Sequence, residues 1–139
     1  MTSPQTDGRS KVILAVDDSP QELSLLNMML LGAGYTVVGA ASGEACLDLV
    51  HRCSPRLILL DIAMPGMDGI ETCRRLRTDP ELRSIPIAFL TGSKTRSELR
   101  RGVEAGGNDF ILKPVARGPL LERVRHWTSQ RVGGGTAGP

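Results

Sequence analysis

Five short apolar runs alternate with longer stretches of helical periodicity along this chain, and no other sequence feature limits its fold as strongly. The runs cover residues 12–16, 35–40, 57–60, 87–90 and 110–112. Because these runs are unbroken, we expect strands that are covered on both faces, as in a parallel sheet. Five strands, each followed by a helix, predict an α/β fold: a doubly wound five-stranded parallel sheet with five helices.

Helix start signals follow the apolar runs at the places that this fold requires. Ser19 is a potential N-cap, and a proline occupies the first helical position after it. Ser42 and Asp68 are potential caps for the second and third helices. The fourth and fifth helices are expected over residues 95–105 and 117–130.

Length and composition restrict the possible classes of protein. The chain has 139 residues, which is enough for one core, and we expect a domain over 11–131 between tails at 1–10 and 132–139. Aromatic residues make up 3 %, too few for a platform that stacks single-stranded nucleic acid. The three cysteines show no CxxC spacing, which argues against a disulfide framework or a zinc ribbon. With no apolar leader or membrane span in the sequence, we expect a cytoplasmic protein.

Charge is distributed unevenly along the chain. Residues 1–93 carry a formal charge of −3, whereas residues 94–139 carry +5. Two interpretations remain open for the basic half: a solvated face, or a docking surface for an acidic partner. The candidate residues for that surface are Lys94, Arg96, Arg100, Arg101, Arg117 and Arg123.

Polar and charged residues follow the ends of four predicted strands. Asp17 and Asp18 follow the first, Asp61 the third, Thr91 the fourth and Lys113 the fifth. In a parallel sheet these ends meet at one edge, where ligands bind in folds of this class. Three converging carboxylates repel one another unless a cation joins them. Ligands that are all oxygen predict Mg²⁺, or alternatively Mn²⁺, rather than zinc.

This set of groups suits phosphoryl transfer. A carboxylate can attack phosphorus to give an acyl phosphate, while a metal ion and a lysine neutralise charge on the phosphoryl oxygens. The Thr91 hydroxyl and the backbone N–H of Gly92 can bind a remaining oxygen. The sequence therefore predicts a phosphoacceptor site at this edge of the sheet.

Four motifs of the chain resemble the receiver domain of bacterial response regulators. They lie in order and cover nearly all of residues 11–130: Val16–Pro20, Leu60–Gly69, Leu90–Gly92 and Asp109–Pro114. The resemblance implies a flavodoxin-like sheet with strand order 2-1-3-4-5. It also implies that a histidine kinase or a phosphotransfer protein supplies the phosphoryl group.

The resemblance further implies roles for individual residues. Asp61 is the expected phosphoacceptor, and Asp17, Asp18, Asp61 and the backbone carbonyl of Ala63 are the expected Mg²⁺ ligands. Ala63 offers no side chain to orient an attacking water, which leaves the phosphoryl lifetime open.

Further expected roles concern the switch itself. Lys113 is expected to pair with Asp61 and then with the phosphoryl group, through a cis peptide bond to Pro114. Thr91 is the expected switch hydroxyl, together with the Gly92 N–H. Phe110 occupies the position of the switch aromatic, and without a hydroxyl its inward state depends on apolar burial alone. The usual output surface of the family is the face of the fourth helix, fifth strand and fifth helix.

We therefore expect a phosphorylation-dependent signalling switch rather than an enzyme, as a monomer or a phosphorylation-dependent dimer. A phosphate sink and a phosphorelay intermediate are alternatives, as is a receiver excised from a longer regulator.

A phosphatase with an aspartyl-phosphate intermediate is a rival class, which is weakened because Ala63 stands where such an enzyme carries an acid. An FMN carrier is disfavoured by the lack of a Ser/Thr-rich loop after the first strand. Direct nucleic-acid binding is disfavoured because no helix-turn-helix follows residue 130.

Overall fold

The computed structural model describes residues 11–129, in which strands and helices alternate strictly. The predicted tails at 1–10 and 132–139, and the end of the predicted fifth helix at Gln130, lie outside these residues. The elements are β1 (Val12–Val16), α1 (Pro20–Leu31), β2 (Thr36–Ala40), α2 (Gly43–Cys53), β3 (Leu57–Asp61), α3 (Gly69–Arg77), β4 (Ile87–Thr91), α4 (Arg96–Ala105), β5 (Asp109–Leu112) and α5 (Arg117–Ser129).

The five strands form one parallel sheet in the order β2-β1-β3-β4-β5, which confirms the predicted architecture. The register places the carboxyl ends of the strands side by side. Val16 is paired with Leu60, and the next residue of β3, Asp61, is paired with Leu90 of β4. Thr91, which ends β4, is paired with Leu112. This alignment brings the polar residues that follow the strands to one edge.

Side chains cap the helices at the predicted places. Ser19, Ser42 and Asp68 each accept a hydrogen bond from the backbone N–H three residues further on. Thr95 does the same, so α4 begins at Arg96 rather than at Thr95. Each cap satisfies one of the backbone donors that the first turn of a helix leaves unpaired. No helix within residues 11–129 combines the length and apolar character that crossing a membrane requires.

Two apolar cores lie on opposite faces of the sheet. Residues of α2, α3 and α4 pack on one face, and residues of α1 and α5 pack on the other. The three inner strands are buried along nearly their whole length, as their unbroken apolar runs predict. β2 and β5 are partly exposed because each has a neighbouring strand on one side only. Both edge strands are nevertheless covered on both faces as predicted, because Val38 and Phe110 pack against one core and Val37 and Ile111 against the other.

The three cysteines are free thiols, as the sequence predicted. Burial raises the pKa of Cys46 to about 12 and that of Cys73 to about 11. Cys53 is partly exposed, and burial raises its pKa as well. All three side chains are thus protonated at neutral pH and pack as small apolar groups.

Arg77, at the end of α3, joins three segments of the chain. Its guanidinium donates to the carbonyls of Gly106 at 3.0 Å and Leu82 at 2.9 Å, and to Oδ1 of Asn108 at 2.9 Å. Leu82 ends a short 3₁₀ helix, Pro80–Leu82, that the sequence analysis did not predict. Burial lowers the pKa of Arg77, because the charged form loses hydration. The hydrogen bonds to neutral oxygens compensate part of that loss.

Candidate functional site

Three carboxylates converge at the carboxyl edge of the sheet. Asp17 and Asp61 are buried, at 1 % and 4 % exposure, whereas Asp18 is exposed. One carboxylate oxygen from each of the three residues lies within 4.8 Å of the corresponding oxygens of the other two. Asp18 does not cap α1, because Ser19 occupies that position. Its place beside two buried acids is therefore not explained by helix capping.

Lys113 is the cation that faces this cluster from the end of β5. Its Nζ lies 3.1 Å from Oδ2 of Asp17 and 3.2 Å from Oδ1 of Asp61. The peptide bond between Lys113 and Pro114 is cis. Glu22, in the first turn of α1, places Oε1 3.9 Å from the same nitrogen. Glu22 was not among the site residues expected from the sequence, because an acid in the first turn of a helix is common without any role in a site.

Burial and charge shift the pKa values of the central pair. Burial is the main cause that raises the pKa of Asp61, and the negative charge of Asp17 adds to it. Lys113 opposes this rise because it attracts the ionised carboxylate and donates a hydrogen bond to it. The backbone N–H of Ala63 also opposes the rise, because it donates a hydrogen bond to the same carboxylate. For Lys113, burial acts to lower the pKa, but Asp17 and Asp61 together raise it above the usual value.

A hard divalent cation fits this donor set. Asp17, Asp18 and Asp61 supply only carboxylate oxygens, and one lysine cannot neutralise three acids. Mg²⁺ prefers oxygen ligands and a site that leaves room for water. The exposed Asp18 leaves one side of the cluster open to solvent. The residues present therefore suit Mg²⁺ better than a softer metal.

The loop after β3 is folded tightly against the phosphoacceptor candidate. A Cβ atom at Gly69 would lie 2.1 Å from the carbonyl oxygen of Asp61, so only glycine fits. The Gly69 N–H donates to the carbonyl of Ile62 at 2.9 Å. Gly66, which has a φ of 73°, makes the turn itself. Ala63 is exposed in this loop.

The Thr91 hydroxyl is directed toward α4. Its Oγ1 lies 2.8 Å from Oε1 of Glu98 and 2.6 Å from the carbonyl of Ser93. It also accepts a hydrogen bond from the Ser93 N–H at 3.2 Å. Gly92 is exposed in the same loop. The sequence analysis did not identify Glu98, because only the path of the loop brings it to Thr91.

Phe110 lies inward, beneath α4. Its ring centroid is 5.4 Å from that of Phe89, and the ring packs against the core on that face of the sheet. A Cβ atom at Gly102 would lie 2.7 Å from Cζ of Phe110. The missing side chain at Gly102 thus makes room for the ring. The ring is partly buried, and these contacts are apolar.

The basic residues of the second half of the chain do not form one continuous surface. Arg96, Arg100 and Arg101 are exposed on α4. Lys94 and Arg123 line a groove of about 240 Å³ whose floor includes Leu112 and Pro119.

Two of the six basic residues have contacts of their own. Arg123 forms an ion pair with Asp109, which also accepts a hydrogen bond from Nε1 of Trp127 at 2.8 Å. The guanidinium of Arg117 lies close to Gly32, at the end of α1, and therefore points to the other face of the domain. The groove around Lys94 and Arg123 and the exposed arginines of α4 therefore make up the candidate basic surface.

Comparison with known proteins shows the same relationship in sequence and in structure. The family described as "Response regulator receiver domain" matches residues 13–125. The response regulator PleD of Caulobacter vibrioides is 40 % identical over 116 residues, which are 84 % of this chain and 26 % of PleD. The chain therefore spans about a quarter of that relative.

Two solved structures share the fold over most of the chain. A putative response regulator from Chloroflexus aurantiacus J-10-fl aligns with a TM-score of 0.82 at 36 % identity, covering 87 % of this chain and 99 % of that one. The receiver domain of the sensor histidine kinase PA1611 from Pseudomonas aeruginosa PAO1 aligns with a TM-score of 0.80 at 29 % identity, with the same coverage. That structure contains a magnesium ion coordinated in its active-site cleft.

Proposed function

This chain belongs to the response regulator receiver domain family of two-component signalling, and we propose that Asp61 accepts the phosphoryl group. The observation that carries the proposal is the position of its carboxylate. Oδ1 lies 3.2 Å from Lys113 Nζ, within the cluster that also contains Asp17 and Asp18. A histidine kinase or a histidine phosphotransfer protein is the proposed donor.

The transfer is a direct displacement at phosphorus. A carboxylate oxygen of Asp61 forms a bond to phosphorus as the bond from phosphorus to the histidine nitrogen breaks. The electron pair of the broken bond stays on the imidazole. Burial raises the pKa of Asp61, and Lys113 opposes that rise, so the lysine favours the ionised form of the attacking carboxylate.

Mg²⁺ is the proposed cofactor, with Mn²⁺ as a substitute, and when bound it neutralises charge on the phosphoryl oxygens. Asp17, Asp18 and Asp61 would hold it, together with the backbone carbonyl of Ala63. The supporting observations are the all-oxygen donor set and the magnesium ion in the related Pseudomonas aeruginosa structure.

The signalling step is a shift between two positions of the Thr91 hydroxyl. A phosphoryl oxygen on Asp61 offers that hydroxyl, and the Gly92 N–H, a partner that the unphosphorylated domain lacks. Only such a difference in contacts can change the balance between two conformations. The β4–α4 loop and Phe110 would respond, because Thr91 begins that loop and Phe110 packs beneath α4.

We propose that output passes through α4, β5 and α5 to an acidic protein partner. The groove lined by Lys94 and Arg123, and the exposed arginines of α4, supply complementary charge. Capture of a partner that requires beryllofluoride, a phosphoryl mimic, and is lost in Lys94→Glu would support this surface. Capture that is unaffected by Lys94→Glu would contradict it.

Phosphorylation by acetyl phosphate and Mg²⁺ tests the assignment of Asp61. Intact-mass measurement should show one phosphoryl group on the wild type and none on Asp61→Asn. The attached group should be released by hydroxylamine, as expected of an acyl phosphate. Asp68→Asn is the matched control, because Asp68 lies in the same loop but caps α3, a role that asparagine also fills. Labelling of Asp61→Asn to the wild-type level would refute the proposal.

A further inference from the structure

We propose that Glu98 is a positioning residue that holds the Thr91 hydroxyl on α4 and thereby opposes switching. This inference rests on the proposed phosphorylation of Asp61, and it adds a residue that sets how readily the domain responds. The inference is based on the position of the buried Thr91 hydroxyl, at the end of β4, which faces the Glu98 carboxylate in the first turn of α4. Oγ1 of Thr91 and Oε1 of Glu98 are 2.8 Å apart.

The hydrogen bond between these two groups is of the stronger kind. Thr91 is 4 % exposed, and Glu98 is partly buried, so water competes weakly for the hydroxyl. An ionised acceptor makes a hydrogen bond about twice as strong as a neutral one. The carbonyl of Ser93, 2.6 Å from the same oxygen, is a second acceptor for the same proton, so Glu98 supplies part of the hold on the hydroxyl.

A threonine hydroxyl has a single proton to donate. Thr91 can therefore donate fully either to Glu98 or to a phosphoryl oxygen on Asp61, but not to both. Every contribution of Glu98 to the present position is lost when the hydroxyl turns toward Asp61. The Glu98 carboxylate therefore stabilises the unphosphorylated conformation of the domain relative to the phosphorylated one.

Glu98 also has a second acceptor role within reach. Thr95 is the N-cap of α4 and accepts from the Glu98 N–H, which places Glu98 at the third helical position. In a capping box, the acid at that position accepts a hydrogen bond from the backbone N–H of the cap residue. Within residues 11–129 no protein group accepts from the Thr95 N–H. Release of Thr91 therefore leaves Glu98 able to complete the capping box and stabilise the start of α4.

Beryllofluoride binding in the presence of Mg²⁺ measures this competition. Glu98→Ala removes the charged one of the two acceptors that compete for the Thr91 proton, and it should bind beryllofluoride up to about tenfold more tightly than the wild type, or ~1.4 kcal/mol. Glu98→Gln retains a neutral acceptor and should lie between the two. Glu104→Ala is the matched control, since it removes the same charge from an exposed position on α4 and should leave the affinity unchanged.

The Thr91→Ala background separates positioning from a general structural effect. Without the hydroxyl there is nothing for Glu98 to hold, so Glu98→Ala should have no effect on beryllofluoride affinity in that background. A second readout needs no ligand: the methyl resonance of Thr91 in the free protein should shift in Glu98→Ala and keep its position in Glu104→Ala.

Three results would overturn the inference. The first is that Glu98→Ala and the wild type bind beryllofluoride with equal affinity. The second is that Glu104→Ala increases the affinity as much as Glu98→Ala does. The third is that Glu98→Ala still increases the affinity in the Thr91→Ala background. If the wild type and Glu98→Ala both bind beryllofluoride with the same affinity, the proposed role of Glu98 is refuted, whereas the proposed function is not. A wild type that binds no beryllofluoride and takes up no phosphate refutes the proposed function, and this inference with it.

Discussion

Replacement of Lys113 by methionine tests whether the acidic pocket depends on the positive charge of Lys113. The Lys113 side chain is 22 % exposed, while those of Asp17 and Asp61 are 1 % and 5 % exposed. Loss of one partner from a fully buried pair costs about 3–5 kcal/mol. Because Lys113 is partly solvated, and solvent screens its attraction, we expect a loss of about 2–3 kcal/mol without metal.

Urea unfolding in a chelating buffer, followed by circular dichroism, measures this loss. With a urea dependence of about 2 kcal/mol per molar, the midpoint should fall by roughly 1 M. Added Mg²⁺ should restore more stability to the variant than to the wild type, because a bound cation replaces the missing charge. Lys94→Met, at an exposed position, is the matched control and should change stability by less than about 0.5 kcal/mol.

The pH dependence of the same measurement gives a second and independent check. Removal of Lys113 takes away an influence that lowers the pKa of Asp61, so that pKa rises further in the folded variant. An acid with a raised folded pKa binds its proton more tightly when folded, so stability increases as pH falls through that pKa. The deficit of Lys113→Met should therefore shrink as the pH falls through the raised pKa of Asp61.

The double variant Lys113→Met/Asp61→Asn identifies the carboxylate responsible. It should recover part of the lost stability and lose the pH dependence that comes from Asp61, because one of the two buried carboxylates that Lys113 contacts has been removed while Asp17 remains. A Lys113→Met protein as stable as the wild type without metal would refute the reasoning. A deficit that grows as pH falls would refute it as well.

Two further predictions concern residues that hold the site in place. Gly69→Ala should destabilise the fold by about 2–4 kcal/mol in urea unfolding, because its Cβ would meet the backbone of Asp61; an unchanged midpoint would show that the loop can shift freely. Arg77→Met should cost about 2–3 kcal/mol, since the partly buried carbonyls of Gly106 and Leu82 lose their donor, whereas Arg75→Met on the same helix should cost less than about 0.5 kcal/mol. Equal effects of the two arginine variants would contradict the role of Arg77.

The sequence was sufficient to predict features that depend on neighbouring residues. The inner strands are continuous apolar segments, and the caps at Ser19, Ser42 and Asp68 act within a single turn. The gathering of Asp17 and Asp61 followed from topology, because all strands of a parallel sheet end at the same edge.

Contacts between residues that are far apart in the sequence, or that depend on the course of a loop, could not be predicted in the same way. Glu98 reads as an ordinary first-turn acid, and only the loop after β4 brings it to Thr91. Gly69 reads from the sequence as a turn glycine, whereas in the structure the close approach of the Asp61 carbonyl requires a glycine there. Arg77 likewise reads as one of several exposed arginines of α3, although its guanidinium is held by three acceptors.

The end of α5 is fastened at the edge of the sheet opposite Asp61. Arg56, just before β3, donates to the carbonyl of Thr128 at 3.0 Å, and Tyr35, just before β2, places its hydroxyl 3.3 Å from the Thr128 hydroxyl. A fluorescent protein joined after Ser129 would therefore start from the far side of the domain. Such a fusion would leave the phosphoacceptor edge open to a kinase, which makes this end the natural attachment point for a reporter of phosphorylation.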